Sequence, residues 1–169
     1  DLRNHIITKS KNKLEFPVDP TSRKEAMLGG TISCNASGFI PGEQGTMRYW
    51  TNSIDLLLPS GEMIKINRGD YMSNNGQFII HKPDNTESII KVPTYSRINL
   101  KNASGPFSSS NGSMDFIDLI IGSEGMFGCI INATLKLKDK PTDYLNLFIK
   151  LKNEDQAFEF YSYVSDYLN

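Results

Sequence analysis

The sequence predicts an α+β fold, an antiparallel sheet flanked by helices, on three observations. Ile54, Leu56 and Leu58 alternate up to a Pro59-Ser60-Gly61-Glu62 turn, and Met63, Ile64 and Ile66 carry the return, which is the pattern of a β-hairpin. Ile131, Ala133, Leu135 and Leu137 alternate with Asn132, Thr134, Lys136 and Lys138, giving a strand with one apolar and one wet face. Ala157, Phe158, Tyr161, Val164 and Leu168 recur at helical spacing over residues 154–168. A chain of 169 residues can bury a core without disulfide or metal staples. Its 18 basic and 19 acidic residues leave a formal net charge of −1, so no basic field is present to grip a nucleic acid. No apolar run approaches the roughly 20 residues of a transmembrane helix.

The other elements follow in chain order. The stretch through Glu15 is polar apart from Ile6-Ile7, and Pro17 and Pro20 block regular helix over Phe16 to Ser22. Thr21 or Ser22 can cap a single turn over Arg23 to Ala26. Gly29 to Gly38 is almost without side-chain bulk and cannot form much of a core by itself. After the hairpin, residues 67–113 form a long excursion rich in Asn, Gly, Ser and Pro, with 78–80 and 89–92 as short strands. Met114 to Ile121 reads as a short helix, and Lys138 to Thr142 as a boundary. Beyond it, Tyr144 to Leu151 reads as a strand ahead of the 154–168 helix. The domain division is therefore 1–140 and 141–169, the second unit being unfinished. The amino end, Asp1 to His5, has neither an initiating Met nor a signal-peptide profile, so the expectation is either that a segment has been removed or that the chain begins partway through something larger.

Cys34 and Cys129 are too few and too far apart for a disulfide framework or a zinc site, and two reduced thiols in a cytoplasmic protein are expected. His5 and His81 have no ligand-spaced carboxylate or thiol, so no metal site is expected. The sequons at Asn35, Asn102, Asn111 and Asn132 are what an Asn-rich chain produces by chance. Arg48 and Lys101 are possible anion contacts, with a solvated surface charge as the commoner role. Arg68-Gly69-Asp70 is an isolated tripeptide and carries little weight as an adhesion motif.

The two glycine-rich segments hold the chemical information. Neither matches a P-loop, and Gly122-x-x-Gly125-x-x-Gly128 precedes a strand where a dinucleotide fingerprint must open a helix. Loops of this kind still let backbone N–H groups approach an anion or a flat ring, and convergent N–H groups form an anion nest. The plainer alternative is that these glycines serve tight turns.

Six collinear motifs resolve that choice. Asp19-Pro20-Thr21-Ser22, followed by Leu28-Gly29-Gly30-Thr31-Ile32-Ser33-Cys34-Asn35-Ala36-Ser37-Gly38, resembles the D-P-x-S…G-G-x-I-x-x-N-A-x-G segment of FAD-linked oxidases of the vanillyl-alcohol oxidase/p-cresol methylhydroxylase (PCMH-type) family, which includes D-lactate and glycolate dehydrogenases. Gly45 to Arg48 resembles Y-G-x-x-R, Leu57 to Glu62 resembles V-L-P-D-G-E, and Lys101 to Gly105 resembles K-N-x-x-G-Y. Asp118 to Ile130 resembles D-L-x-I-G-S-E-G-T-L-G-I-I.

The resemblance implies the second α+β subdomain of a PCMH-type FAD-binding domain over 1–140, then the beginning of a C-terminal cap domain. It implies FAD contacts from Pro20, Thr21 and Ser22, from Gly29 and Gly30, and from Ser33, Cys34, Asn35, Ala36, Ser37 and Gly38. The segment Glu124, Gly125, Met126, Phe127, Gly128 and Ile130 would add backbone contacts. The implied function is an FAD-dependent oxidoreductase that moves a hydride from a 2-hydroxy acid such as D-lactate or glycolate to the flavin. The implied partners are that small-molecule substrate and the rest of the flavin and cap domains, with no nucleic acid and no transmembrane segment. Gln44 stands at the motif's Tyr, Pro106 interrupts G-Y, and no P-R-G-G-G-T-G-like loop or cap-domain histidine motif is found. The segment alone is therefore expected to be inactive and to retain FAD weakly or not at all, with the catalytic residues unassigned. A non-redox alkyl transferase of the same family and a cofactor-free interaction domain are the alternatives.

Overall fold

The computed structural model describes residues 2–81, 85–92, 101–103 and 113–168. Pro106 and the sequon at Asn111 lie outside the described residues, as does the end of the 101–105 motif. The centre is a three-stranded antiparallel sheet in the order β3-β2-β6, with β2 at Thr51–Leu57, β3 at Met63–Asn67 and β6 at Cys129–Leu135. The β2–β3 hairpin closes through the Leu58 N–H donating to the Glu62 carbonyl at 2.8 Å, and Leu56 and Ile54 pair with Ile64 and Ile66. That register puts Ile54, Leu56 and Ile66 in the core and leaves Met63 on the wet face, 64 % exposed.

The alternation expected along β6 breaks at one residue. Asp55 pairs with Asn132 but Leu56 pairs with Ile130, so Ile131 is the extra residue of a β-bulge. Ile130, Ala133 and Leu135 pack on the core, while Ile131 is 56 % exposed. The pleat is reset at the bulge, and an uninterrupted period of two cannot reveal that.

Two short helices, α2 at Leu28–Ser33 and α3 at Met47–Trp50, pack under the sheet with α4 at Phe116–Ile120. Ile32, Met47, Trp50, Ile54, Leu56, Ile117 and Ile121 form the main core. Asp115 caps α4 by accepting the Ile117 N–H, and burial raises its carboxyl above the usual range against the opposing Gly69 and Ile117 N–H groups and Arg68. The strands expected at 78–80 and 89–92 form the hairpin β4 (Gln77–His81) and β5 (Glu87–Lys91). Phe78, Val92, Met114 and Leu119 make its core, and Phe116 and Phe127 touch both clusters.

The ends differ from expectation. Residues Leu2–Lys9 form helix α1, held by Ile6 against the core and by Arg3 on Asp19 at 2.9 Å, although its sequence is mostly polar. Strand β1 (Leu14–Glu15) pairs with β7 (Lys138–Asp139), so the 138–142 boundary returns to the amino end. Residues 144–151 are not a strand: among the described residues no neighbour offers it a ladder, and Leu145 and Phe148 are fully open to solvent at 84 % and 101 %. Helix α5 (Glu154–Leu168) forms as expected, but Phe158 and Tyr161 on its anticipated inner side are exposed.

Candidate functional site

Three segments matched to the resemblance lie against one another around α2, which packs on β6. After the buried Phe16-Pro17-Val18, the chain turns over Pro20 to Ala26, with Arg23 N–H on the Pro20 carbonyl at 3.0 Å and Ala26 N–H on the Ser22 carbonyl at 2.9 Å. This is a turn closed by backbone carbonyls rather than the side-chain-capped helical turn expected there. The segment after α2 then lies against it. A Cβ on Gly38 would fall 2.5 Å from the Asp19 nitrogen, so only glycine lets the two backbones touch. The third segment docks on α2: Gly122 and Glu124 donate to the Ile32 and Ser33 carbonyls at 3.3 and 2.9 Å.

Exposure divides the expected contacts. Thr21, Ser22, Gly30, Cys34, Glu124, Gly125 and Met126 are exposed; Pro20, Gly29, Ser33, Ala36, Ser37, Gly38, Phe127, Gly128 and Ile130 are half-buried. Both thiols, Cys34 and Cys129, are free and exposed. Asn35 is fully buried at φ +45°, its Oδ1 accepting the Arg48 N–H at 2.9 Å and its Nδ2 donating to the Ala103 carbonyl at 3.2 Å. Its side chain is committed inside the fold.

The convergent N–H nest expected of these loops is not built over residues 34–38. The N–H groups of Cys34, Asn35, Ala36 and Gly38 donate to the Gly30, Ile32, Thr31 and Gly45 carbonyls within the chain. Positive charge stands close by instead. A cleft of about 230 Å³ beside the Pro20–Ala26 turn is lined by Arg3, Arg23 and Lys24 over an apolar floor that includes Phe16, Val18 and Leu28. Asp19 accepts Arg3 at 2.9 Å and Arg23 at 2.6 Å. Burial pushes its carboxyl up, but these two guanidinium groups outweigh that and hold it below the usual range. Sequence reasoning missed this cationic rim. Its signal was the Arg23-Lys24 pair directly after Asp19-Pro20-Thr21-Ser22, which only the fold joins to Arg3.

The reading of Arg48 as a surface charge does not survive. Arg48 is no solvated charge: 3 % exposed, it donates to the Asp118 and Ile121 carbonyls at 2.8 and 2.7 Å and pairs with the Asp118 carboxylate at 3.1 Å. Arg68 joins the same carboxylate through two hydrogen bonds of 3.0 Å, with Gly69 N–H on Asp115 at 2.8 Å. The Arg-Gly-Asp tripeptide is thus tied into the fold through its Arg and Gly. Lys101 donates to the Gly38 carbonyl and so braces the expected cofactor segment. His5 sits exposed on α1, and His81 on β4 with its Nδ1 3.2 Å from Glu87.

The residues fit one side of an elongated, anionic, partly flat group such as FAD. Glycine-lined backbone is open at Gly30, where a Cβ would meet nothing within 4 Å, and cations flank an apolar floor. The cleft is smaller than the roughly 300–1,000 Å³ of a complete small-molecule pocket. Among the described residues no cluster of His, Cys, Asp and Glu could hold a metal ion, and no helix is long and apolar enough to cross a membrane.

No family model matches the chain. Individual proteins do. The chain is 26 % identical over 149 residues to a D-2-hydroxyglutarate dehydrogenase of Xanthomonas citri, a match covering 88 % of this chain and 24 % of that protein. It is 27 % identical over 143 residues to a D-lactate dehydrogenase of Anaerostipes hadrus, covering 85 % of this chain and 22 % of that one. The glycolate oxidase subunit GlcD of Bacillus subtilis is 23 % identical over 144 residues, again 85 % of this chain and 23 % of the relative. The chain spans about a quarter of the length of these proteins. Its motifs and these matches agree: the sequence is similar to one stretch of the FAD-linked oxidases typified by D-lactate and glycolate dehydrogenases.

Proposed function

We propose that this chain forms one wall of the FAD site of an oxidoreductase acting on a 2-hydroxy acid, such as D-lactate, glycolate or D-2-hydroxyglutarate. The observation that carries the reading is that the three motif segments, residues 19–26, 29–38 and 122–130, lie against one another, Gly38 on Asp19 and residues 122–124 on α2. In this reading residues 1–140 are the second α+β subdomain of a PCMH-type domain and 141–169 begin a cap. The remaining flavin and cap domains complete the site, and the exposed free thiols are compatible with a cytoplasmic location.

FAD would supply the redox chemistry, taking up the hydride from the hydroxyl-bearing carbon. The chain's own residues bind and orient. Pro20, Thr21 and Ser22, with the charges of Arg3, Arg23 and Lys24, would face the pyrophosphate, where a guanidinium offers paired donors to phosphate oxygens. Gly29, Gly30, Ser33, Cys34, Ala36, Ser37 and Gly38 would let the cofactor approach the backbone, while Asn35 holds that segment from inside. Glu124, Gly125, Met126, Phe127, Gly128 and Ile130 would border the same surface. Neither histidine lies on these segments, so neither is assigned as the base that takes the hydroxyl proton.

The test is spectroscopic. The whole gene product that carries this chain, rather than the chain alone, is expected to show a flavin absorption band that bleaches on adding D-lactate, glycolate or D-2-hydroxyglutarate. A yellow protein inert to all three would favour a non-redox transferase. A colourless protein that takes up no FAD on titration would remove both readings and leave an interaction domain.

A further inference from the structure

We propose that Arg48 is a positioning residue that clamps the 33–38 segment and the 121–128 loop into one cofactor-facing surface, acting from below through Asn35 and the Ile121 carbonyl. The inference rests on the FAD reading for its purpose, but not for its geometry. Arg48 lies on α3, behind the expected contacts, with a guanidinium only 3 % exposed. One nitrogen donates to the Ile121 carbonyl at 2.7 Å, directly ahead of Gly122, and the other to the Asp118 carbonyl at 2.8 Å. Its own backbone N–H donates to Asn35 Oδ1 at 2.9 Å, and Asn35 Nδ2 reaches the Ala103 carbonyl at 3.2 Å. One residue therefore holds the exit of α4 and the middle of the 33–38 segment, and through Asn35 it reaches residues 101–103.

The environment explains why the clamp is stiff. A buried cation is tolerated only when paired, and Asp118 supplies the counter-charge at 3.1 Å while Arg68 shares that carboxylate. Asn35 sits at φ +45°, a conformation its short amide tolerates, so both of its side-chain ends are aimed by the backbone. A Cβ on Gly122 would come within 3.3 Å of both Arg48 Nη2 and Asn35 Cβ, so the two segments and the guanidinium close on one point. Charge-assisted hydrogen bonds from a planar fork fix direction as well as distance, which a lysine ammonium cannot reproduce.

The decisive experiment is amide hydrogen exchange on the full chain bearing Arg48→Lys, set beside a core variant, Leu56→Val, compared at matched global stability. The expected result is at least tenfold faster exchange in R48K at the N–H groups of residues 122–124, which follow the carbonyl its guanidinium holds, with β2 and β3 unchanged. The Arg48 N–H bond to Asn35 survives that substitution, so the 33–38 arm is read in Asn35→Gly, which keeps the positive φ, removes both amide bonds and is expected to speed exchange at residues 34–36 and 38. Protection equal to the control's in either variant would overturn the clamp, and should R48K fail to fold, Asn35→Gly alone still does so. A parallel FAD titration separates the two claims. R48K is expected to bind at least tenfold more weakly than the matched control. Both FAD measurements are made on the whole gene product: binding equal to the control's would overturn the positioning role, and a wild-type protein with no FAD affinity would sink the function while exchange still decides the clamp.

Discussion

The two glycine-rich segments have similar composition and use glycine for opposite reasons. In α2 the glycines are helical, and what matters is what lies against them: a Cβ on Gly29 would stand 2.9 Å from the Ile130 carbonyl, whereas one on Gly30 would meet open space. In the 122–128 loop the backbone itself demands glycine, with Gly125 at φ +82° and Gly128 at φ +155°. Gly128 carries both constraints, since a Cβ there would lie 2.3 Å from the Leu57 carbonyl on β2. The difference teaches that a glycine count locates a close-packed backbone surface but does not say whether contact or conformation requires it.

Substitutions break or sharpen this contrast in a definite order. Gly128→Ala is expected to cost roughly 3 kcal/mol or more, because a backbone carbonyl of the central strand must move; chemical denaturation that shows less than half that loss would mean β2 yields easily. Gly125→Ala meets only the Gly128 carbonyl at 3.9 Å, so its penalty is conformational, about 1–2 kcal/mol by the same measurement. Asp19→Asn removes a carboxylate held between Arg3 and Arg23, for a loss of at most about 1 kcal/mol at neutral pH. The sign follows from the lowered folded-state pKa. The contribution is present above the ordinary Asp value of 3.8 and fades as pH falls through the folded value, so wild-type and variant stabilities should converge in acid. Smallest, and opposite in sign, is Gly30→Ala: a helical position with open space should gain about 0.5–1 kcal/mol, read as a raised thermal midpoint.

How much was legible depended on whether a pattern was local. The hairpin 51–67 was, because a period of two and a Pro-Ser-Gly-Glu turn need nothing from afar. Helix α4 was legible too, within residues 114–121, but the capping role of Asp115 was not. Helix α2 was not, since Leu-Gly-Gly-Thr-Ile-Ser has poor helix propensity and is held by packing on β6 and the loop before it. Nor was α1, whose few apolar residues matter only because Asp19 and the core stand opposite. The candidate site divided in the same way. Collinear motifs identified the three segments, but the direction of each N–H, the burial of Asn35 and Arg48, and the cations around Pro20 are properties of neighbours distant in sequence.

The sequence by itself determined the α+β class, the β2–β3 hairpin, the α5 helix and the family resemblance, because these rest on periodicity and on the order of residues along one chain. Only the tertiary structure decided that Ile131 faces water, that 144–151 finds no strand partner among the described residues, and that Arg48 is a buried, paired cation rather than a surface charge. A bulge, a missing ladder partner and a desolvated guanidinium are each defined by groups brought together across tens of residues. Sequence spacing does not encode those distances.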